Sequence, residues 1–246
     1  MDKFSDNSSE GSGGFPDGEN PLHQKAARVS GKRAHSRGVA TRERLLRTAE
    51  RMFAQFGFEG VSVRDLAAEA DVDLALINYH FKSKNKLFEA VLSARMDFIN
   101  EHRKKRIQSL PDTYTLSDIV SCFLDPFHEK LNSDDTGYRY FADLTLQVAS
   151  LDRYREFRQV HLDEVALMIV NAFAGLYPDA DRRALFWAYN CLVSGLGQII
   201  TGSDRLAVLS NGTCDVRDLD TAFALWHTYS VAGINAVITG GIPNKK

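Results

Sequence analysis

Cysteine is scarce in this chain, and Cys122, Cys191 and Cys214 have neither the spacing of a metal site nor the number that a disulfide framework needs. We expect each to be a small buried apolar residue rather than a redox sensor. No His-Glu-x-x-His or Gly-x-Ser-x-Gly motif occurs, and the run Gly195-Leu196-Gly197 does not continue as a dinucleotide fingerprint. These absences predict a protein that is not an enzyme and has no catalytic residues, metal or cofactor.

The sequence also lacks an apolar N-terminal stretch of the signal-peptide kind. Two stretches, 184–203 and 221–244, carry no Asp, Glu, Lys or Arg, but polar residues interrupt both of them. Such residues are rare in lipid-facing segments. We therefore expect no membrane contact and a cytoplasmic, nucleoid-associated location.

Net charge is only −2, which alone does not indicate a nucleic-acid partner. Its distribution is more informative, because residues 22–92 hold 13 Lys and Arg against 8 acidic residues, whereas the rest of the chain is acidic. A local basic excess is typical of a nucleic-acid contact. Residues 1–39, polar and then basic, are predicted to be a disordered arm. Two interpretations of that arm stay open: contact with the DNA backbone, or a leader without contacts.

Residues 40–92 have the pattern of three short helices and the start of a fourth. Thr41 is a predicted N-cap, and apolar residues at spacings of three and four lead to Gly57 as a C-cap. Ser62, with Asp65 three residues later, approaches a capping box for a second helix. Asp73 is placed to cap a third helix over 74–81, and Ser83 to open a fourth. Two short helices with a short turn form a helix-turn-helix, here about residues 62–81.

This segment resembles the DNA-binding domain of the tetracycline-repressor (TetR) family of bacterial transcription regulators. Where the family has Gly, this chain has Asp71, a residue that tolerates the left-handed backbone. The matching residues are Thr41, Ala49, Phe53, Gly57-Phe58, Ser62-Val63-Arg64, Leu66-Ala67, Val72, Tyr79-His80-Phe81, Ser83-Lys84 and Leu87.

The resemblance implies a partner, double-stranded DNA with a palindromic operator, and a set of DNA contacts. Arg64 is the first candidate for a base contact, because arginine binds guanine through two hydrogen bonds. Asn78 suits adenine, and Leu74 or Ala75 a thymine methyl group. Phosphate contacts are expected from the remaining residues, whose side chains carry charge or hydroxyl groups: Thr41, Ser62, Tyr79, His80 and Lys84, with Asp73 nearby.

The second half of the chain has helical periodicity throughout and no alternating pattern of useful length. Helices are predicted over 116–131, 138–149, 154–176, 181–200 and 218–239, with a polar loop over 201–216. The fold class is therefore all-α. An N-terminal helix-turn-helix domain (40–92) is followed by a C-terminal helical domain for effector binding and dimerisation (93–246).

The two uncharged helices of this domain predict a homodimer interface, since a helix that is apolar on all sides is buried on all sides. Small residues recur at spacings of three and four along the first of them, which permits close helix packing. The resemblance implies the same pair of helices as the dimer contact. Candidate interface residues are Ala184, Ala188, Cys191, Gly195, Ala222, Tyr229, Gly233 and Ala236.

By resemblance, a small-molecule effector binds among the C-terminal helices and releases the repressor from DNA. No charge pattern specifies its chemical class. Candidate lining residues are Phe123, Phe141, Tyr154, His161, Trp187 and Asn190. The alternative is a DNA-binding architectural or division-control protein on the same scaffold, without a small ligand. A cavity among the C-terminal helices would distinguish the two.

Overall fold

The computed structural model describes residues 21–150, 152–200, 204–215 and 217–241, and these contain helices and turns but no strand. The predicted all-α class is confirmed. The described helices are α1 (Pro21–Phe56), α2 (Val63–Glu69), α3 (Leu74–Phe81), α4 (Lys84–Gln108), α5 (Leu116–Leu131), α6 (Gly137–Ser150), α7 (Arg155–His161), α8 (Asp163–Leu176), α9 (Arg182–Ile200), α10 (Arg205–Leu209) and α11 (Leu219–Gly240).

The first helix begins at Pro21, so residues 21–39, for which disorder is predicted, lie within α1. Proline suits the first position of a helix, and the residues that follow include several Ala, Lys and Arg, which favour helix without any apolar periodicity. Thr41 therefore lies inside α1 and does not cap it. Residues 1–20, and the basic side chains of 21–37, lie outside what the structure describes. By its contacts the chain divides into two units, Met1–Glu43 and Arg44–Lys246.

Within the second unit, three phenylalanines form the centre of the helix-turn-helix region. The rings of Phe53 on α1, Phe58 after α1 and Phe88 on α4 are buried, with centroids 5.1–5.7 Å apart. Tilted and edge-to-face pairs at such distances add stability to simple burial. Phe56, which the helical pattern places on the same apolar face, is instead 54% exposed at the end of α1.

The C-terminal helices pack around α4 and α5, and α9 packs along α11. Most predicted bounds are confirmed to within a residue or two. The predicted helix over 154–176 is broken, because α7 ends at His161 and α8 begins at Asp163. The predicted loop over 201–216 contains α10. The predicted domain boundary at residues 92 and 93 falls inside α4, which continues without a break from Lys84 to Gln108.

Candidate nucleic-acid interface and internal cavity

The helix-turn-helix is held by local hydrogen bonds at each helix start. At α2 the Ser62 Oγ accepts from the amide of Asp65 (3.1 Å), and the Asp65 carboxylate accepts from the amide of Ser62 (2.9 Å). These bonds hold the pKa of Asp65 below its usual value. At α3 the Asp73 carboxylate accepts from the amide of Ala75 (2.7 Å), and at α4 the Ser83 Oγ accepts from the amide of Lys86 (3.2 Å). All three predicted caps are confirmed.

The turn between α2 and α3 depends on one left-handed residue. Asp71 has φ +49°, so the expectation that aspartate replaces glycine in this conformation is confirmed. The Asp71 carbonyl accepts a hydrogen bond from the Arg44 guanidinium at 3.3 Å. The amide of Val72 donates to the carbonyl of Ala67 at 3.0 Å, which closes the turn against α2. The orientation of α3 relative to α2 is therefore set within a few residues.

The third helix has one buried face and one exposed face. Ile77 and Phe81 anchor it in the core, whereas Tyr79 is 72% exposed. The other exposed residues of α3 are Leu74, Ala75, Leu76 and Asn78. A helix of eight residues that leaves this many side chains in solvent presents a surface of mixed polar and apolar groups, as a major-groove reading helix does.

Most of the predicted DNA contacts lie on α2, α3 and the start of α4. Arg64 is exposed on α2, and the structure gives its guanidinium no hydrogen bond or ion pair with any described residue. Tyr79 and His80 pack edge to face with ring centroids 5.2 Å apart. The Lys84 ammonium lies 4.2 Å from the centre of the Phe58 ring, so its position is fixed by a cation–π contact at the first residue of α4.

A cavity of about 610 Å³ lies among α4, α5, α6, α8 and α9. This volume falls in the range of about 300–1,000 Å³ that is usual for small-molecule sites. Phe123, Phe141 and Asn190, three of the six predicted lining residues, lie in its wall.

The other three predicted lining residues lie outside this cavity. The Tyr154 ring packs against Phe88 in a tilted arrangement with centroids 5.4 Å apart, and His161 Nδ1 lies 2.7 Å from the carboxylate of Asp97. Trp187 is 59% exposed. Aromatic residues at helical spacing do not reveal which face of a helix lines a cavity.

The most buried charged residue in the described cavity wall, Arg103, is not among the predicted lining residues. Arg103 on α4 is only 7% exposed, and its Nε donates to the carbonyl of Phe123 at 2.8 Å. The signal was present, because Met96, Ile99, Asn100 and Arg103 follow the helical spacing of one face of α4. The basic run from residue 103 to 106 obscured it, since such a run normally lies in solvent.

Three of the four small residues along α9 pack inside the protomer, whereas Cys191 is exposed. Ala184 and Ala188 are completely buried, so neither is available to a second subunit. At Gly195 an added Cβ would overlap the Trp226 side chain, so this glycine admits the indole of α11. The assignment of Ala184 and Ala188 to a dimer interface is wrong, whereas Gly195 is partly buried and its assignment stays a prediction. A spacing that permits close helix packing does not distinguish packing within a chain from packing between chains.

A different face of the same two helices is exposed. It carries Trp187, with 59% of its surface in solvent, together with Leu225 and Tyr229, at 66% and 68%. The predicted interface residues Cys191 and Ala236 are also exposed, while Ala222 and Gly233 are partly buried. We call the set Phe186, Trp187, Cys191, Leu225, Tyr229 and Ala236 the α9–α11 face.

Among the described residues, no helix is long and apolar enough to cross a bilayer, and no group of His, Cys, Asp or Glu side chains could hold a metal ion.

Two family models match the chain. The model described as bacterial regulatory proteins, tetR family, matches residues 45–91, and the model of the tetracyclin repressor-like C-terminal domain matches residues 121–233. Together they cover the helix-turn-helix and most of the helices around the cavity.

Curated relatives match shorter parts of the chain. A "probable HTH-type transcriptional regulator YttP" from Bacillus subtilis is 44% identical over 55 residues, 22% of this chain and 27% of the relative. The "HTH-type transcriptional repressor KstR2" from Mycolicibacterium smegmatis is 33% identical over 94 residues, 37% and 44% of the two chains. A "probable acrEF/envCD operon repressor" from Escherichia coli K12 is 24% identical over 63% of this chain and 64% of the relative. The chain thus spans less than two thirds of each of these relatives.

Solved structures share the fold over most of the chain. A transcriptional regulator from Pseudomonas aeruginosa PAO1 is 20% identical and superposes with a TM-score of 0.56, covering 80% of this chain and 93% of its own. The regulator PfmR from Thermus thermophilus is 16% identical with a TM-score of 0.53, covering 81% and 99%.

Proposed function

Since this chain belongs to the TetR family of bacterial transcriptional regulators, we propose that it is a repressor that binds a palindromic operator and is released from it by a small-molecule effector. The observation that carries the proposal is the capped pair α2 and α3, joined by the turn at Asp71, which leaves one face of α3 in solvent. The names of the relatives from M. smegmatis and E. coli, both repressors, support repression as the sign of control.

The proposed contacts with DNA divide into two kinds. Arg64 and Asn78 are exposed, and they read base edges in the major groove, with Leu74 and Ala75 against thymine methyl groups. Tyr79, His80 and Lys84 bind phosphates and set the position of α3. Ser62 combines its capping role with a phosphate contact, and Thr41 remains a proposed phosphate contact from within α1. The Asp73 carboxylate is occupied by its cap, so it orients α3.

We place the dimer contact on the α9–α11 face. Its large aromatic and aliphatic side chains are unusually exposed for a soluble protomer, and an extended apolar patch is typical of an association surface. A two-fold axis through this face would present two copies of α3 to the two half-sites of a palindrome.

The cavity supports control by a ligand over the ligand-free architectural alternative. The helix α4 connects the two sites, because its first residue is the proposed phosphate contact Lys84 and its second half lines the cavity with Arg103. A ligand alters DNA affinity only through its different affinities for two conformations, and the usual coupling is about 1–3 kcal/mol.

The test is selection of bound fragments from the source genome, followed by titration of the enriched duplex. The full chain is expected to enrich a palindrome and to bind it more weakly at higher salt, because phosphate contacts release counterions. Tyr79→Ala should lose affinity for all duplexes, whereas Val160→Ala, an exposed residue on α7, should not. Enrichment of sequences without a shared motif would refute the proposal.

A further inference from the structure

Two arginines of α4 bind carboxylates, and they can be compared with Arg103, which pairs with no carboxylate of a described residue. Arg95 binds Glu50 and Asp135, and Arg106 binds Asp125 and Glu129. Both guanidinium groups therefore have their charge balanced within the protomer.

Arg103 lies between these two arginines on the helix and is more deeply buried than either. Its donors reach only neutral acceptors, the Phe123 carbonyl at 2.8 Å and the Asn100 Oδ1 at 3.3 Å, and its guanidinium lies 4.0 Å from the centre of the Phe123 ring. No carboxylate of any described residue pairs with it.

The charge of Arg103 persists despite burial. Loss of solvent lowers the pKa of the guanidinium to about 10, so the group is still cationic at neutral pH. Burial of a charge without a counter-charge is costly. An anion brought into the cavity would reduce that cost, because the Nη2 nitrogen makes no hydrogen bond to any described residue and can donate to it.

The other residues that line the cavity indicate that the rest of the ligand is apolar. The cavity wall is mostly aromatic and aliphatic, with side chains such as Phe127, Phe141 and Val165, and a few amides and hydroxyls. Among the described residues, two further charged side chains line the cavity. Arg158 donates to the carbonyl of Val148 at 2.8 Å, and Asp163 is exposed in the first turn of α8. A cationic ligand would meet Arg103 in the deepest charged position, and the one carboxylate among the described residues of the wall faces solvent.

We propose that the cavity binds an amphiphilic organic anion, with an apolar body against the aromatic wall and a carboxylate paired with Arg103. This assignment rests on the proposed function for its regulatory consequence, but the binding itself can be tested without DNA. The guanidinium and the carboxylate form charge-assisted hydrogen bonds, which are stronger than those to a neutral head group.

The test uses decanoate, decanamide and decylammonium, three compounds with similar chains and a negative, neutral or positive head group. Binding to the full-length protein is measured by calorimetry and thermal shift. We expect decanoate to bind roughly tenfold or more tightly than decanamide, and decylammonium to bind most weakly.

The variant Arg103→Met removes the charge at similar length. It should abolish the advantage of decanoate over decanamide while leaving the affinity for decanamide within about twofold. Arg103→Lys keeps a positive charge and should keep part of the preference. This second variant keeps the test informative if Arg103→Met does not fold. Arg106→Met, on the same helix but paired outside the cavity, is the matched control and should retain the full preference.

Equal affinity for the three compounds, or an undiminished preference in Arg103→Met, would overturn the assignment. Operator binding is measured in parallel on the same samples. If decanoate binds through Arg103 and DNA affinity does not change, the anion site stands and effector control fails. If DNA affinity responds equally to all three compounds, effector control stands and the anion site fails.

Discussion

Arg95 on α4 binds the buried carboxylate of Glu50 on α1 through two hydrogen bonds, from Nε to Oε1 at 3.0 Å and from Nη2 to Oε2 at 3.1 Å. The same guanidinium binds Asp135, in the connection between α5 and α6. Space for it depends on Gly137, where an added Cβ would overlap the Arg95 Nη2. One side chain thus joins the helix-turn-helix region to the helices that surround the cavity.

We expect Arg95→Met to destabilise the protein by about 3–5 kcal/mol, because it leaves the Glu50 carboxylate buried without its cation. Urea denaturation at neutral pH measures this. Arg106→Met is the control, and since its ion pairs are more than one-third exposed, it should cost about 0–1 kcal/mol. Equal losses in the two variants would show that the Glu50 pair contributes no more than a surface pair.

The pH dependence of that loss follows from the same contact. Burial raises the pKa of Glu50, and the contributions of Arg95 oppose the rise, so the variant should have a still higher pKa at Glu50. A group whose pKa is raised on folding stabilises the folded state below its unfolded pKa and loses that contribution as pH rises through the folded value. The loss of stability in Arg95→Met should therefore become smaller as the pH is lowered toward the ordinary pKa of a glutamate side chain.

Arg64→Ala should relax sequence preference at one base in each half-site, at a cost of about 1–3 kcal/mol for the preferred operator. The Arg64 guanidinium is exposed on α2 and pairs with no described residue, so the substitution removes a DNA contact without breaking a described contact within the protein. A binding-site selection with the variant and the natural sequence measures the effect. If the variant selects the same motif with the same base preference at every position, Arg64 makes no base contact.

Ser62→Ala should cost about 0.5–2 kcal/mol of stability, because it removes the cap of α2. Thr115→Ala is a matched control, since Thr115 forms the same capping box with Asp118 at the start of α5. Both variants should lose similar stability in denaturation, and only Ser62→Ala should also weaken operator binding. A parallel loss of DNA affinity in Thr115→Ala would assign the effect to global stability.

Tyr229→Glu should produce a monomer that melts close to the natural sequence, since Tyr229 is largely exposed in the protomer. Analytical sedimentation gives the oligomeric state, and Val160→Glu on α7 is the control that should remain dimeric. Gly195→Arg should instead lower the melting temperature, because any side chain there meets Trp226. A stable dimer of Tyr229→Glu would move the interface away from the α9–α11 face.

The rates at which the cysteines are alkylated provide an independent test of the α9–α11 face. Burial raises the pKa of the Cys122 thiol to about 11, and only the thiolate reacts, so Cys122 should resist iodoacetamide in the native protein up to mildly alkaline pH. Cys214 is exposed and should react readily. Cys191 lies on the α9–α11 face and should react more slowly as protein concentration rises. Rapid labelling of Cys122, read by mass spectrometry, would contradict its placement.

Local features were predictable from the sequence because their causes are local. The caps at Ser62, Asp73 and Ser83 each depend on a polar side chain and an amide two or three residues away. The left-handed conformation of Asp71 follows from backbone sterics at a single residue. The break between α7 and α8 was missed, because neither Pro nor Gly lies near Leu162 to mark it.

The packing of one helix against another was harder to predict from the sequence. The spacing of Ala184, Ala188 and Gly195 indicates close packing, and the structure shows that Gly195 packs against Trp226 on α11 of the same chain. Arg103 belongs to a basic run and is nevertheless buried, since position 103 falls on the inner face of α4. Which helix covers a face depends on contacts between residues far apart in sequence, which periodicity alone does not contain.

The unbroken course of α4 constrains how such proteins are recombined. Each residue added to or removed from a helix turns everything beyond it by about 100° and shifts it by about 1.5 Å. A one-residue change between Glu89 and Arg95 would carry the Arg95 guanidinium away from Glu50 and rotate the cavity wall relative to α3. A chimera that joins this reading domain to another sensor should therefore be spliced within α4 at matched helical phase, with no residue added or removed between Glu89 and Arg95.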